Sequence, residues 1–177
     1  MSGFKGKENF YAPVNPEKIN DNIIQLKIPM SRNPLGKTFS YLLPRSKTLI
    51  DTGVPTEKAY QGLTKQLKKY SLKPSDIERV ILTHLHNDHI GLVEDLRDKG
   101  TEIWAGAAAK KRQEMMVEDW KNLYENTLQE LDLLGGQKYK SNITRNKFIF
   151  KSDVKPIPID KYLIDKEKVK LEDFTIE

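Results

Sequence analysis

The sequence predicts an α/β domain, on three observations. Short apolar runs with strand character alternate with helical segments from about residue 21 to residue 106. One of the runs, Arg79-Val-Ile-Leu-Thr83, is apolar in its centre without alternation, the texture of a strand buried on both faces. The segment from Thr56 to Leu72 sets Ala59, Leu63, Leu67 and Tyr70 at helical spacing with lysines between them, as a helix lying on a sheet requires.

Each element can be justified in order. Residues 1 to 20 are polar, carry Pro13 and Pro16, and read as an arm without its own core, followed by a domain over 21 to 177. Asn22–Met30 is a strand, Ser31–Gly36 a loop, and Thr38–Leu43 the partner strand, ended by Pro44. Lys47–Asp51 is a third strand, stopped by the turn Thr52-Gly53-Val-Pro55 that opens the first helix. The turn Pro74–Glu78 leads into the apolar strand at Arg79, and Ile90–Lys99 reads as a short helix closed by Gly100. Thr101–Ala105 is the next strand. From Ala107 to Leu134 the chain is helix-forming, as one long helix or two broken ones, ended by Gly135-Gly136. Gln137–Lys151 is basic and polar, Pro156-Ile-Pro158 is an extended link, and Val169, Leu171, Phe174 and Ile176 are the apolar members of a closing hairpin.

Composition narrows the chemistry. With 177 residues, a net charge of +5, 37% hydrophobic and 31% charged residues, the chain suits one soluble domain of ordinary size with a real core. It has no cysteine, which excludes thiolate zinc sites, cysteine nucleophiles and thiol redox chemistry. No run approaches the roughly 18 apolar residues of a membrane helix, and the first ten residues lack the apolar centre of a secretory signal, so a cytoplasmic protein without membrane partners is expected. The pI of about 9.2 reads as a solubilising surface.

All three histidines stand within six residues, in Thr83-His84-Leu85-His86-Asn87-Asp88-His89-Ile90. In an extended segment His84 and His86 face the same side, so both imidazoles can reach one metal at about 2.0–2.1 Å. Asp88 and His89 follow where the backbone turns into a helix, which aims them at a neighbouring position about 3.5–4 Å away, the separation of a two-metal hydrolytic site. Imidazole and carboxylate donors without thiolate suit zinc first, then iron or manganese. Four potential ligands between an apolar strand and a helix are not a surface accident or a disordered histidine tract.

This segment resembles the His-x-His-x-Asp-His signature of the metallo-β-lactamase superfamily of metal-dependent hydrolases, whose fold is an αββα sandwich with one or two metals at the sheet edge. Leu49-Ile50-Asp51-Thr52-Gly53 is similar to the strand and turn that precede the family's first helix, and the order of elements from about 21 to 106 is similar too. The resemblance implies metal ligands at His84, His86, Asp88 and His89, with Asp88 also orienting the water or taking its proton, and Asp51 supporting the ligand loop from behind. It implies a hydrolase acting on a small ester, lactone or thioester through metal-activated water.

In the family the remaining ligands lie downstream, and here no histidine follows His89. The chain therefore resembles the N-terminal half of the fold. Three readings stay open: a fragment of a longer hydrolase, a half-domain completed by another chain, and a decayed, catalytically inactive module that binds a partner. A half-sandwich exposes sheet surface, which predicts a homo-oligomer or a C-terminal half as its cover. The segment 107–136 resembles a helical insertion that roofs the metal cleft, so Met115, Met116, Trp120 and Tyr124 are candidates to line a substrate pocket. At helical spacing that stripe is first of all a packing face. The basic residues Lys138, Lys140, Arg145, Lys147 and Lys151 invite a nuclease reading, but Asn142, Asn146 and Asp153 dilute them and no nucleic-acid motif accompanies them.

Overall fold

The computed structural model describes residues 15–30, 35–139, 156–172 and 174–176, without the side chains of 116–118, 120, 121, 123, 124, 139 and 174. The chain divides into one unit formed by residues up to Gly106 together with those from Ile159, and a second formed by 107–158.

Alternation builds the sheet of the first unit. β1 (Glu17–Lys18), β2 (Ile24–Pro29), β3 (Lys37–Leu43) and β4 (Thr48–Ile50) run antiparallel in sequence order. β5 (Arg79–Leu82), β6 (Glu102–Gly106) and β7 (Lys161–Leu163) continue it in parallel. The register aligns Ile24, Leu42, Leu49, Val80 and Ile103 across five strands, and each is at most 2% exposed. Burying such a side chain contributes about 1.5–3 kcal/mol, so this row accounts for a large part of the cohesion of the layer.

Helices lie over part of the sheet. α1 (Glu57–Leu67) starts at Thr56, whose hydroxyl accepts the Ala59 N–H, and packs on β2 with Ala59, Leu63 and Leu67 fully buried. Gln66 is also buried, and its amide pairs with both main-chain groups of Lys27 at 2.9 Å, closing a stretch of β2 that β1 does not reach. α2 (Asn87–Ile90) and α3 (Val93–Arg97) follow β5, and α3 packs on β6. The alternate row of the sheet is Gln25, Tyr41, Ile50, Ile81, Trp104 and Lys161. On this side the hairpin β8 (Val169–Leu171) and β9 (Phe174–Ile176) forms a two-stranded sheet of its own. Val169 and Leu171 cluster there with Leu43, and Ile23, Ile50, Trp104, Leu163 and Ile176 pack around them. A larger and a smaller sheet thus face each other, and helices cover the larger one on its other side.

The second unit contains α4 (Ala108–Leu133), a single helix of 26 residues, followed by a 3-10 turn at Gln137–Tyr139. Two sequence expectations are refined. The helix expected over 90–99 is α3, which begins only at Val93, and a separate helical turn, Asn87–Ile90, precedes it. The expected arm contributes an edge strand at its described end, Glu17–Lys18 paired to β2, while residues 1–14 lie outside the described residues. The basic run from Lys140 to Lys151 also lies outside them.

Candidate metal centre

β4 ends at Ile50, and the chain turns at once through Asp51, whose backbone is left-handed with φ 58°. Aspartate tolerates this region better than most residues. The turn is held on both sides: Ser40 Oγ, fully buried on β3, donates to the Asp51 carbonyl at 2.7 Å, and Asp51 N–H donates to the Ile81 carbonyl at 3.0 Å.

This turn points the carboxylate of Asp51, a buried residue, at the end of β5. Oδ1 accepts the Thr83 N–H at 2.9 Å. Oδ2 lies 2.7 Å from Thr83 Oγ1 and 2.7 Å from His89 Nδ1. An ionised carboxylate only accepts, so the Thr83 hydroxyl proton and a proton on His89 Nδ1 both point at it. The Thr83 oxygen is then an acceptor for His84 Nδ1, 3.0 Å away. One carboxylate therefore sets the tautomers of two rings, directly for His89 and through a hydroxyl for His84, and leaves Nε2 of each as the free donor atom.

The rings are close. His84 and His89 have centroids 3.9 Å apart, and His86 meets His84 edge to face at 4.5 Å. Desolvation, then the neighbouring His89 and His86, hold His84 below the usual imidazole pKa. Its neutral form, the one that binds metal, is favoured. The Asp88 carboxylate lies 3.4 Å from His89 Nε2, on the ring edge opposite Asp51.

Donor atoms of Asp51, His84 and His89 lie within 4.8 Å of one another, and neither His86 nor Asp88 is part of that group. Hydrogen bonding separates the roles inside it. Asp51 is engaged by three donors and is buried, which makes it the support of the site, whereas His84 is exposed and His89 half-buried. A set of neutral imidazoles with one carboxylate fits a borderline divalent ion such as zinc.

A second set of contacts fixes the backbone that carries Asp88 and His89. The N–H and hydroxyl of Thr52 both donate to the His89 carbonyl, at 2.7 and 2.8 Å, and Gly91 N–H donates to the Gly53 carbonyl at 2.7 Å. The approach is so close that a Cβ on Gly91 would meet Pro55 N at 2.2 Å. Gly53, with φ 118°, has Ile28 Cγ2 at 2.5 Å from where a Cβ would stand. Thr52, Thr83, Ser40 and Gly91 are site residues that pattern reasoning missed. The signal present was a hydroxyl residue directly after Asp51 and another directly before His84.

The model of the metallo-beta-lactamase superfamily matches residues 33–172, most of the chain. The chain belongs to the metallo-beta-lactamase superfamily. Among curated relatives, the probable metallo-hydrolase YqjP of Bacillus subtilis is 38% identical over 80 residues, 45% of this chain and 25% of the relative. A beta-lactamase-like protein 2 homolog of Caenorhabditis elegans is 32% identical over 89 residues, 47% of this chain and 28% of the relative. Solved structures agree on the metallo-beta-lactamase fold. The metallo-beta-lactamase family protein TTHA1429 from Thermus thermophilus superposes with a TM-score of 0.59 at 22% identity, over 87% of this chain and 50% of its own. The metallo-beta-lactamase GOB-18 from Elizabethkingia meningoseptica gives 0.56 at 20% identity, over 99% and 54%. The chain thus spans about half the length of these structures and about a quarter of the curated relatives.

Of the residues expected to line a pocket, Met115 is 46% exposed on α4. The side chains of Met116, Trp120 and Tyr124 lie outside the described residues. Among the described residues, no helix is long and apolar enough to cross a membrane.

Proposed function

We propose that these residues supply a metal-binding half of a metal-dependent hydrolase that cleaves a small ester, lactone or thioester. The observation that carries this reading is that one buried carboxylate engages Nδ1 of His89 and, through Thr83, Nδ1 of His84, so that each ring keeps Nε2 for a metal, with Asp88 beside His89 Nε2. His84, His86, Asp88 and His89 would hold the metal, zinc before iron or manganese. When bound, the metal supplies Lewis acidity and brings the pKa of a water near to neutrality.

The chain's own residues do the rest. Asp51 keeps the protons on Nδ1 of His89 and, through Thr83, of His84, so that each ring would offer a bound ion the lone pair on Nε2. Asp88 orients the attacking water and takes its proton at a carboxylate oxygen. The test is metal content per chain by elemental analysis of the purified protein and of H84A/H86A, followed by a screen of ester, lactone and thioester substrates. Metal bound in the wild type and lost in the variant is expected, and chelation abolishes any hydrolysis the screen finds. Metal that the double variant retains would overturn the assignment.

A second reading, a partner-binding module with idle histidines, has its own observation. Ile19, Ile23, Gln25, Tyr41, Leu43, Ile50 and Ile176 line an apolar hollow of about 480 Å³ beside the β8–β9 hairpin. Polypeptide beyond these residues, a C-terminal half or a second copy, would cover it. Under this reading chelation leaves partner binding unchanged.

A further inference from the structure

The helical turn that carries Asp88 and His89 is interrupted by a side chain from elsewhere in the chain. α2 ends at Ile90 and α3 begins at Val93. At the gap, Thr52 Oγ1 stands between the two pieces: it donates to the His89 carbonyl at 2.8 Å and accepts the Leu92 N–H at 3.1 Å. In an unbroken turn a carbonyl and the amides three and four residues on close on each other. Here a hydroxyl is inserted into the ladder, one of the recognised causes of a helix kink. Thr52 is 0% exposed, so water does not compete for these bonds.

We propose that Thr52 is a positioning residue for metal binding, its inserted hydroxyl setting the tilt of α2 and with it the direction of His89 Nε2 and the Asp88 carboxylate. The inference rests on the reading of this cluster as a metal centre. Two consecutive residues grip His89 at both ends: Asp51 Oδ2 holds the ring at 2.7 Å, and Thr52 holds the main-chain carbonyl through N–H and hydroxyl at 2.7 and 2.8 Å. A single anchor leaves the ring free to turn about it. Two anchors fix its direction. The left-handed turn at Asp51 is what lets neighbouring residues do both. The tight seat of Gly91 against Pro55 keeps the gap from being closed by sliding the turn along the loop.

The test compares wild type, T52V and T52S in the 177-residue chain, with Zn²⁺ alone and Co²⁺ alone as probes. Valine keeps the shape and removes the hydroxyl, while serine keeps the hydroxyl. Affinity from competition titration, the Co²⁺ absorption spectrum and the melting temperature of metal-free protein are read together. T52V is expected to weaken binding by about 10–100-fold, the usual effect of removing a group that orients a ligand, and to change the Co²⁺ spectrum. T52S restores both. A T52V protein that binds Co²⁺ with wild-type affinity and spectrum, and differs only in metal-free melting, would reduce Thr52 to a packing role and overturn the inference. Wild-type protein that binds neither ion would instead overturn the metal reading itself. Where T52V does not fold, T52A is judged by the same affinity and spectrum.

Discussion

His89 Nδ1 lies 2.7 Å from Asp51 Oδ2, in a buried carboxylate whose side chain is 7% exposed and that also receives both donors of Thr83. Two residues 38 positions apart in sequence thus form one unit, and the state of the ring depends on the state of the acid. In D51N the amide NH₂, turned to His89, would face Nδ1 and force the proton onto Nε2, where the metal must bind. Zinc affinity is expected to fall by about 10–100-fold. D51A goes further, because it removes the acceptor of three part-buried donors, each at a cost up to about 1–3 kcal/mol, and its melting temperature should fall as well. Competition titration and thermal melts check both; unchanged affinity in D51N would mean that the tautomer is set elsewhere.

The H84A single variant isolates the second ring of the relay. It removes a free Nε2 and leaves the Asp51–His89 bond in place. Metal affinity is expected to drop while metal-free stability changes little, since His84 is exposed. Fold loss in metal-free H84A would contradict this separation of roles.

Gly91 is a steric prediction. A Cβ there would lie 2.2 Å from Pro55 N and 2.4 Å from Val54 C, both backbone atoms that cannot rotate away. G91A is expected to cost about 1–3 kcal/mol or more, as overpacking does. Urea unfolding reads the stability, and an unchanged midpoint would show that the 53–55 loop yields freely.

A pH-dependent contribution comes from Asp160. Burial pushes its pKa up, but the Ile103 N–H at 2.8 Å and the Arg97 guanidinium at 2.7 Å outweigh it, and the net shift is downward from 3.8. A carboxyl whose folded pKa is depressed stabilises the native state above its unfolded value, and that stability is lost as pH falls through the folded value. The gap in melting temperature between wild type and D160N should be full at neutral pH and close below about pH 4. A gap that stays constant down to about pH 3 would show that the carboxylate charge is not involved.

The sequence by itself determined most of the elements and the superfamily, and it named the residues that are candidates to carry chemistry. Alternation at Ile24, Leu26 and Ile28, helical spacing at Ala59, Leu63 and Leu67, and the crowding of His84, His86, Asp88 and His89 are local patterns. Periodicity reports them without knowledge of neighbours, and the motif with Leu49–Gly53 was enough to point to the superfamily. The break between Ile90 and Val93 was not legible, because its cause is Thr52, 40 residues from Leu92. Nor could the pattern show that Asp51 would serve His84 through Thr83, or that Gly91 would seat on Pro55. Side-chain chemistry and period are carried by short stretches of chain. The tautomer of a ring, the tilt of a turn and the room at a glycine are set by atoms brought together only when β3, β4, β5 and the turn after them close on one another.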